Sequence, residues 1–127
     1  HRVILGSVER FIGALIEHFA GALPLWLSPT QCILIPISEK VMNYVDGLAR
    51  VFTEADIRIS VDARNERLEK KIRDAEMEKV PYMVIVGERE AKQGILSIRS
   101  KAQGDIGKMG IEEFILMLRK EIDEKVR

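Results

Sequence analysis

The chain has 127 residues, 46% of them hydrophobic, and its 20 basic and 20 acidic side chains leave no formal net charge. That length suits one domain with one proper core, and the balanced charge excludes a protein working through a global basic field, so any nucleic-acid contact must come from a local surface. One cysteine, Cys32, excludes an intrachain disulfide; within the apolar run Cys32-Ile33-Leu34-Ile35 it reads as a buried small hydrophobe of a reducing compartment.

No apolar stretch reaches the roughly 18 residues of a membrane span, and no signal-peptide pattern opens the chain, so a cytoplasmic location without a membrane partner is expected. The chain starts directly on an apolar strand, Val3-Ile4-Leu5, as a cut chain would, with its strand partners expected upstream. A Gly6-Ser7 turn then opens a helix to about Phe19, whose apolar face is Val8, Phe11, Ile12, Leu15, Ile16 and Phe19. Gly13 is read as a close-packing point and Gly21 as a stop signal. In Leu23–Pro29 two prolines flank an apolar knot, which predicts an ordered linker with a buried Trp26 and a domain boundary, dividing the chain into 1–29 and 30–127.

Strands and helices alternate after Pro29. A continuous apolar run over 31–37 predicts a central strand. A helix is predicted over 39–54, with Val41, Tyr44, Val45, Leu48 and Phe52 inward. Ile57, Ile59 and Val61 alternate with Arg58 and Ser60 as a half-buried strand does. Residues 62–65 form a polar turn, and a helix over 66–79 packs Leu68, Ile72 and Ala75 inward. Tyr82–Val86 is a third strand and 95–99 a fourth, joined through 88–93 as an antiparallel hairpin. Residues 103–107 read as a loop, and Ile111, Phe114, Ile115, Leu118 and Ile122 mark a terminal helix. The expected fold class is α/β, a mixed β-sheet flanked by three helices and preceded by a strand-helix fragment.

The turn at the start carries chemistry. Gly6 permits close backbone approach to a ligand, Ser7 is a good N-cap at the positive end of a helix, and Arg10 offers a planar guanidinium for a base or a phosphate. Those are the needs of an ATP site; a capped amphipathic helix with a surface arginine is the plainer reading. The run His1-Arg2-Val3-Ile4-Leu5-Gly6-Ser7-Val8-Glu9-Arg10 resembles the third signature motif of class II aminoacyl-tRNA synthetases, in wording close to the threonyl enzymes. From Thr30 onward the βαβαββα order resembles the anticodon-binding domain shared by the threonyl, prolyl, histidyl and glycyl enzymes. Asp62-Ala63-Arg64-Asn65-Glu66, Lys71-Ile72-Arg73, Val80-Pro81-Tyr82-Met83 and Gly87-Glu88-Arg89-Glu90 narrow the resemblance to the C-terminal part of threonyl-tRNA synthetases, across essentially the whole chain.

The resemblance implies a parent ligase that forms threonyl-adenylate from threonine and ATP and passes the acyl group to threonine tRNA. Gly6, Ser7 and Arg10 would line its adenylate pocket, with Arg10 on the ATP. His1 would be the last of three zinc ligands, the other two lying upstream, so the fragment alone is expected to hold neither zinc nor ATP stably and not to aminoacylate; His18 has no ligand-spaced partner and reads as a helix-surface residue. A homodimeric parent is implied. By matching position, Asn65, Glu90 and Arg99 would contact anticodon bases, with Glu90 and Arg99 on the guanine at the middle of a threonine anticodon. Unpaired bases expose edges that an amide, a carboxylate and a guanidinium can read.

Arg67 and its neighbours Arg64, Lys70, Lys71 and Arg73, with Arg89, Lys92, Arg99 and Lys101 at the hairpin, could meet phosphates. Plainer readings stand beside these. Glu90 and Arg99 could form a cross-strand surface ion pair, Asn65 could cap the helix that follows, and the basic run, interleaved with acids, could be a solvated face. Glu69 stands where the family pattern usually has glycine and puts a negative charge near the expected RNA surface. A free-standing RNA-binding module and a protein-interaction α/β domain are the rival functions.

Overall fold

The computed structural model describes residues 23–125. Its described residues hold five strands, β1 (Cys32–Pro36), β2 (Ile59–Val61), β3 (Tyr82–Val86), β4 (Ile95–Ser100) and β5 (Gly104–Gly110). They also hold four α-helices, α1 (Met42–Glu54), α2 (Leu68–Met77), α3 (Glu88–Gln93) and α4 (Ile111–Asp123). The sheet order is β2-β1-β3-β4-β5. β1 pairs with β2 and β3 in parallel, whereas β4 is antiparallel to β3 and β5, so the sheet is mixed as the sequence predicts.

Connection type decides which faces are covered. A parallel pair needs a long crossover, and here the crossovers are α1 and α2, which lie on opposite faces. Val45, Leu48 and Phe52 of α1 and Phe114 and Leu118 of α4 pack on Cys32, Leu34, Val84, Val86, Leu96 and Ile98. Phe52 and Phe114 meet edge to face at 5.9 Å, and Tyr82 meets Phe114 at 5.7 Å, the arrangement their ring quadrupoles favour. On the other face, Leu68, Ile72 and Ala75 of α2 cover Ile33, Ile35 and Met83. Every residue of β1 is therefore buried.

Two connections differ from expectation. The hairpin link over 88–93 is the helix α3, so the sheet carries four helices rather than three. Glu-Arg-Glu-Ala-Lys-Gln consists of good helix formers, with acids in the first turn and Lys92 in the last, and Gly94 closes it at φ 66°, its amide donating to the carbonyl of Glu90. The expected 103–107 loop instead begins β5, where Gly104 and Gly107 take positive φ. Ile98 pairs with Gly107 and Arg99 with Asp105, so Ile106 is the extra residue of a β-bulge.

The proline-flanked segment is tied to the sheet domain. Leu25 belongs to the main core, whereas Trp26, expected to be buried, is half-buried with the Lys125 ammonium 5.4 Å from its ring centre. The buried Gln31 donates to the carbonyl of Leu25 and accepts from the amide of Arg58, whose guanidinium donates to the carbonyls of Ser28 and Trp26. Cys32 is fully buried, which pushes its thiol pKa up and leaves it unreactive. The strand, the Gly-Ser turn and the helix expected over 3–19 lie outside the described residues.

Candidate nucleic-acid interface

The carboxyl ends of the parallel strands form the site. With the order β2-β1-β3-β4, the chain leaving β1 turns toward β2 and the chain leaving β3 turns the other way toward β4, and such a switch point leaves a crevice beyond the strand ends. A cleft of about 400 Å³ opens there, lined by residues that include Ile37, Ser38, Met42, Arg64, Asn65 and Lys71. Ile37, just past β1, is 52% exposed at its rim.

Asn65 lies at a bend in the segment between β2 and α2, exposed and with no hydrogen bond to the described residues. It does not cap α2: the N-cap residue is Arg67, in extended conformation. The helix starts at Leu68, two residues later than expected, with the stretch before it tied to the end of β2 and to the helix through Arg64. Arg64 donates two hydrogen bonds to the Asp62 carboxylate, at 2.9 and 2.8 Å, and a third to Asp74 at 2.9 Å. That hydrogen-bonded guanidinium draws the Asp62 carboxyl pKa below its usual value, and the two carboxylates raise that of Arg64.

Lys71 is 4% exposed, and its ammonium donates to the carbonyls of Pro36 and Asp62 at 3.3 and 3.2 Å. It ties the carboxyl ends of β1 and β2 together under the cleft. The basic cluster thus divides. Arg64 and Lys71 are committed within the protein and Lys70 pairs with Glu66 at 3.6 Å. Arg67, Arg73, Arg89, Lys92, Arg99 and Lys101 form no ion pair with the described residues. Position could have flagged Lys71, since it sits four residues before the buried Ala75 and three after Leu68, on the helix face that meets the sheet.

Glu90 lies in the first turn of α3, half-buried. Its carboxylate folds back over Gly87: a Cβ there would fall 3.0 Å from Glu90 Oε2 and 3.1 Å from Ile37 Cδ1. Asn65 and Glu90 therefore flank Ile37 at one end of the sheet. Arg99 lies opposite Met83 in β4, where Leu96 and Ile98 point into the main core and Ile95, Ser97 and Arg99 alternate onto the face that carries α2. That helix packs on β1, and among the described residues no other helix joins Ile33, Ile35 and Met83 from this side of β4. From Gly87 to the level of Met83 is four residues, about 13 Å along the strand.

Glu90 and Arg99 do not form the cross-strand ion pair that was the plainer expectation. Glu90 is on a helix rather than a strand, and both charged groups are left without a charged partner among the described residues. Asn65 and Glu90 thus lie at the carboxyl end of the sheet and Arg99 on the face of β4 opposite the main core, with a gap between carboxylate and guanidinium. Gly6, Ser7, Arg10 and His1 lie outside the described residues, and among those described no three His, Cys, Asp or Glu side chains gather as a metal site.

Residues 31–121 match the family model of the anticodon binding domain, and the chain belongs to that family. Two similar relatives are ligases of one amino acid. The threonine–tRNA ligase of Clostridium acetobutylicum is 49% identical over 126 residues, 99% of this chain and 20% of the relative; that of Clostridium kluyveri is 50% identical over the same shares. The RNA binding domain of threonyl-tRNA synthetase from Cryptosporidium parvum Iowa II superposes with a TM-score of 0.79 at 30% identity, covering 84% of this chain and 27% of that one. The chain spans about a fifth of the length of the curated relatives it matches.

Proposed function

We propose that this chain is the tRNA-reading part of a threonine–tRNA ligase and that it holds the anticodon stem-loop of threonine tRNA on the α2 face of its sheet. In this reading Asn65, Glu90 and Arg99 contact unpaired bases, and Arg67 meets the phosphate backbone at the start of α2. The observation that supports it is that Asn65 and Glu90 lie beside Ile37 at the carboxyl end of the sheet, and that among the described residues neither the Glu90 carboxylate nor the Arg99 guanidinium has a charged partner. A buried or half-buried charge without a partner gains when a ligand supplies one. A guanine placed between Glu90 and Arg99 would offer donors at N1 and N2 to the acid and acceptors at O6 and N7 to the arginine.

The rest of the reading rests on sequence resemblance. Gly6, Ser7 and Arg10 contribute to the ATP and adenylate pocket of the parent, which acts on threonine and ATP in the cytoplasm as a homodimer. The parent's zinc takes His1 as one ligand, and the 127-residue chain by itself holds neither zinc nor ATP stably and does not charge tRNA. The division at 29 separates the end of the catalytic domain from the anticodon-binding domain.

Titration of the chain with a threonine anticodon stem-loop, and with one whose middle base is changed, tests the central claim. Preference for the unaltered loop by roughly 1–3 kcal/mol is expected from one bidentate base contact. Equal affinity would leave a generic RNA binder, and no binding at low salt by a folded chain would leave a protein-interaction domain.

A further inference from the structure

The basic residue nearest to Asn65 has an unexpected disposition. Arg64 is half-exposed beside a surface expected to meet RNA, yet the Nε and Nη2 edge of its guanidinium is taken up within the protein, with two bonds to Asp62 and one to Asp74. The segment that carries Asn65 is restrained on both sides. Before Asn65, the amide of Asp62 donates to the carbonyl of Leu34 and the carbonyl of Asp62 accepts from the Lys71 ammonium. After it, the carbonyl of Arg67 accepts from the amides of Lys70 and Lys71 at the first turn of α2. Arg64 links the end of β2 to the middle of α2, across the span in which Asn65 makes no hydrogen bond to the described residues. The fork is planar and bidentate, so it fixes orientation as well as distance.

We propose that the Asp62–Arg64–Asp74 fork is a positioning device for Asn65, so that Arg64 strengthens RNA binding through Asn65 and does not itself touch the RNA. This rests on the anticodon reading given above. A free loop would have to order on binding, and ordering one side chain costs about two- to tenfold in affinity. The fork meets that cost during folding. A phosphate-binding Arg64 and a positioning Arg64 make opposite predictions at Asp74. If Arg64 is a phosphate ligand, removing Asp74 frees the guanidinium and takes a negative charge from the surface, so binding tightens. If it is a positioning residue, the same change loosens the segment and weakens binding.

The test compares wild type, Asp74→Ala, Arg64→Lys and Asn65→Ala, each shown folded by circular dichroism, titrated with the threonine anticodon stem-loop and its middle-base variant over a range of salt. Asp74→Ala and Arg64→Lys are each expected to weaken cognate binding by roughly three- to tenfold with the salt slope unchanged. Neither is expected to add to the loss in an Asn65→Ala background, the signature of action through that residue. Tighter or equal binding by Asp74→Ala, wild-type binding by the charge-conserving Arg64→Lys, or full additivity with Asn65→Ala would each overturn the proposal. Should Asp74→Ala fail to fold, Arg64→Lys and the Asn65→Ala cycle still decide it. If wild type does not distinguish the two stem-loops, the anticodon reading falls and takes this inference with it; discrimination by wild type alongside unaltered binding by the fork variants removes the inference alone.

Discussion

The two halves of the sheet are built to different rules. In the parallel half, β2-β1-β3, the crossover helices α1 and α2 cover both faces and β1 is buried throughout. In the antiparallel half, β4 alternates between buried and half-buried residues, and among the described residues a helix layer packs on one of its faces only. Parallel pairing brings its own covering helices, whereas the antiparallel β3–β4 link brings only the six-residue α3, and Arg99 emerges on the face opposite the main core. The covered half supplies the rigid strand ends and the cleft at Asn65; the open half supplies a surface on which a flat ligand can lie.

Core truncation is the strongest way to test this division. Leu34→Ala, in the doubly covered β1, is expected to cost about 2–5 kcal/mol in a denaturant titration, while Ser97→Ala on the open face of β4 stays within about 0.5 kcal/mol. Similar losses at both positions would mean that something covers the open face too. Next in size is the effect on RNA. Arg99→Ala is expected to lose about 1–3 kcal/mol of stem-loop binding and most of the discrimination at the middle base, with little change in thermal stability. A loss spread uniformly over all loop sequences would make Arg99 a phosphate contact instead.

The strand-end cluster adds a pH dependence. Asp62 has its carboxyl pKa lowered in the folded chain by the Arg64 hydrogen bonds, so its stabilising contribution is complete above the unfolded value of about 4 and is lost as pH falls through the lower folded value. Asp62→Asn should therefore be less stable than wild type at neutral pH, with the gap closing below about pH 4; a gap that persists in strong acid would show that hydrogen-bond geometry, and not ionisation, is what Asp62 contributes. The smallest effect is expected at the solvent pair. Lys70→Ala, which removes the i,i+4 contact with Glu66 at 3.6 Å, should change stability by no more than about 0.5 kcal/mol.

Periodicity alone carried the reading far. The continuous apolar run of β1, the stripe Val45, Leu48 and Phe52 in α1, and the terminal stripe with Phe114 and Leu118 were each legible, because a buried face repeats with the period of its element. The helix α3 was not, since five charged and polar residues and one alanine show no apolar stripe, and neither was β5, whose glycines read as a loop until β4 pairs with it. The wording around Asn65, Glu90 and Arg99 pointed to the base contacts proposed for them through resemblance alone; spacing by itself left them as surface polar groups.

The order of amino acids by itself determined which segments bury a face, that the sheet is mixed, and which family the chain joins. Only the folded chain decided which charges are committed: Arg64 and Lys71, indistinguishable from Arg67 and Arg73 in composition, are taken up by Asp62, Asp74 and two strand-end carbonyls, while Glu90 and Arg99 are left without charged partners among the described residues. The physical reason is one of range. Burial patterns are local and repeat along the chain, but an ion pair forms within a few ångströms between residues whose approach is set by the packing of whole elements.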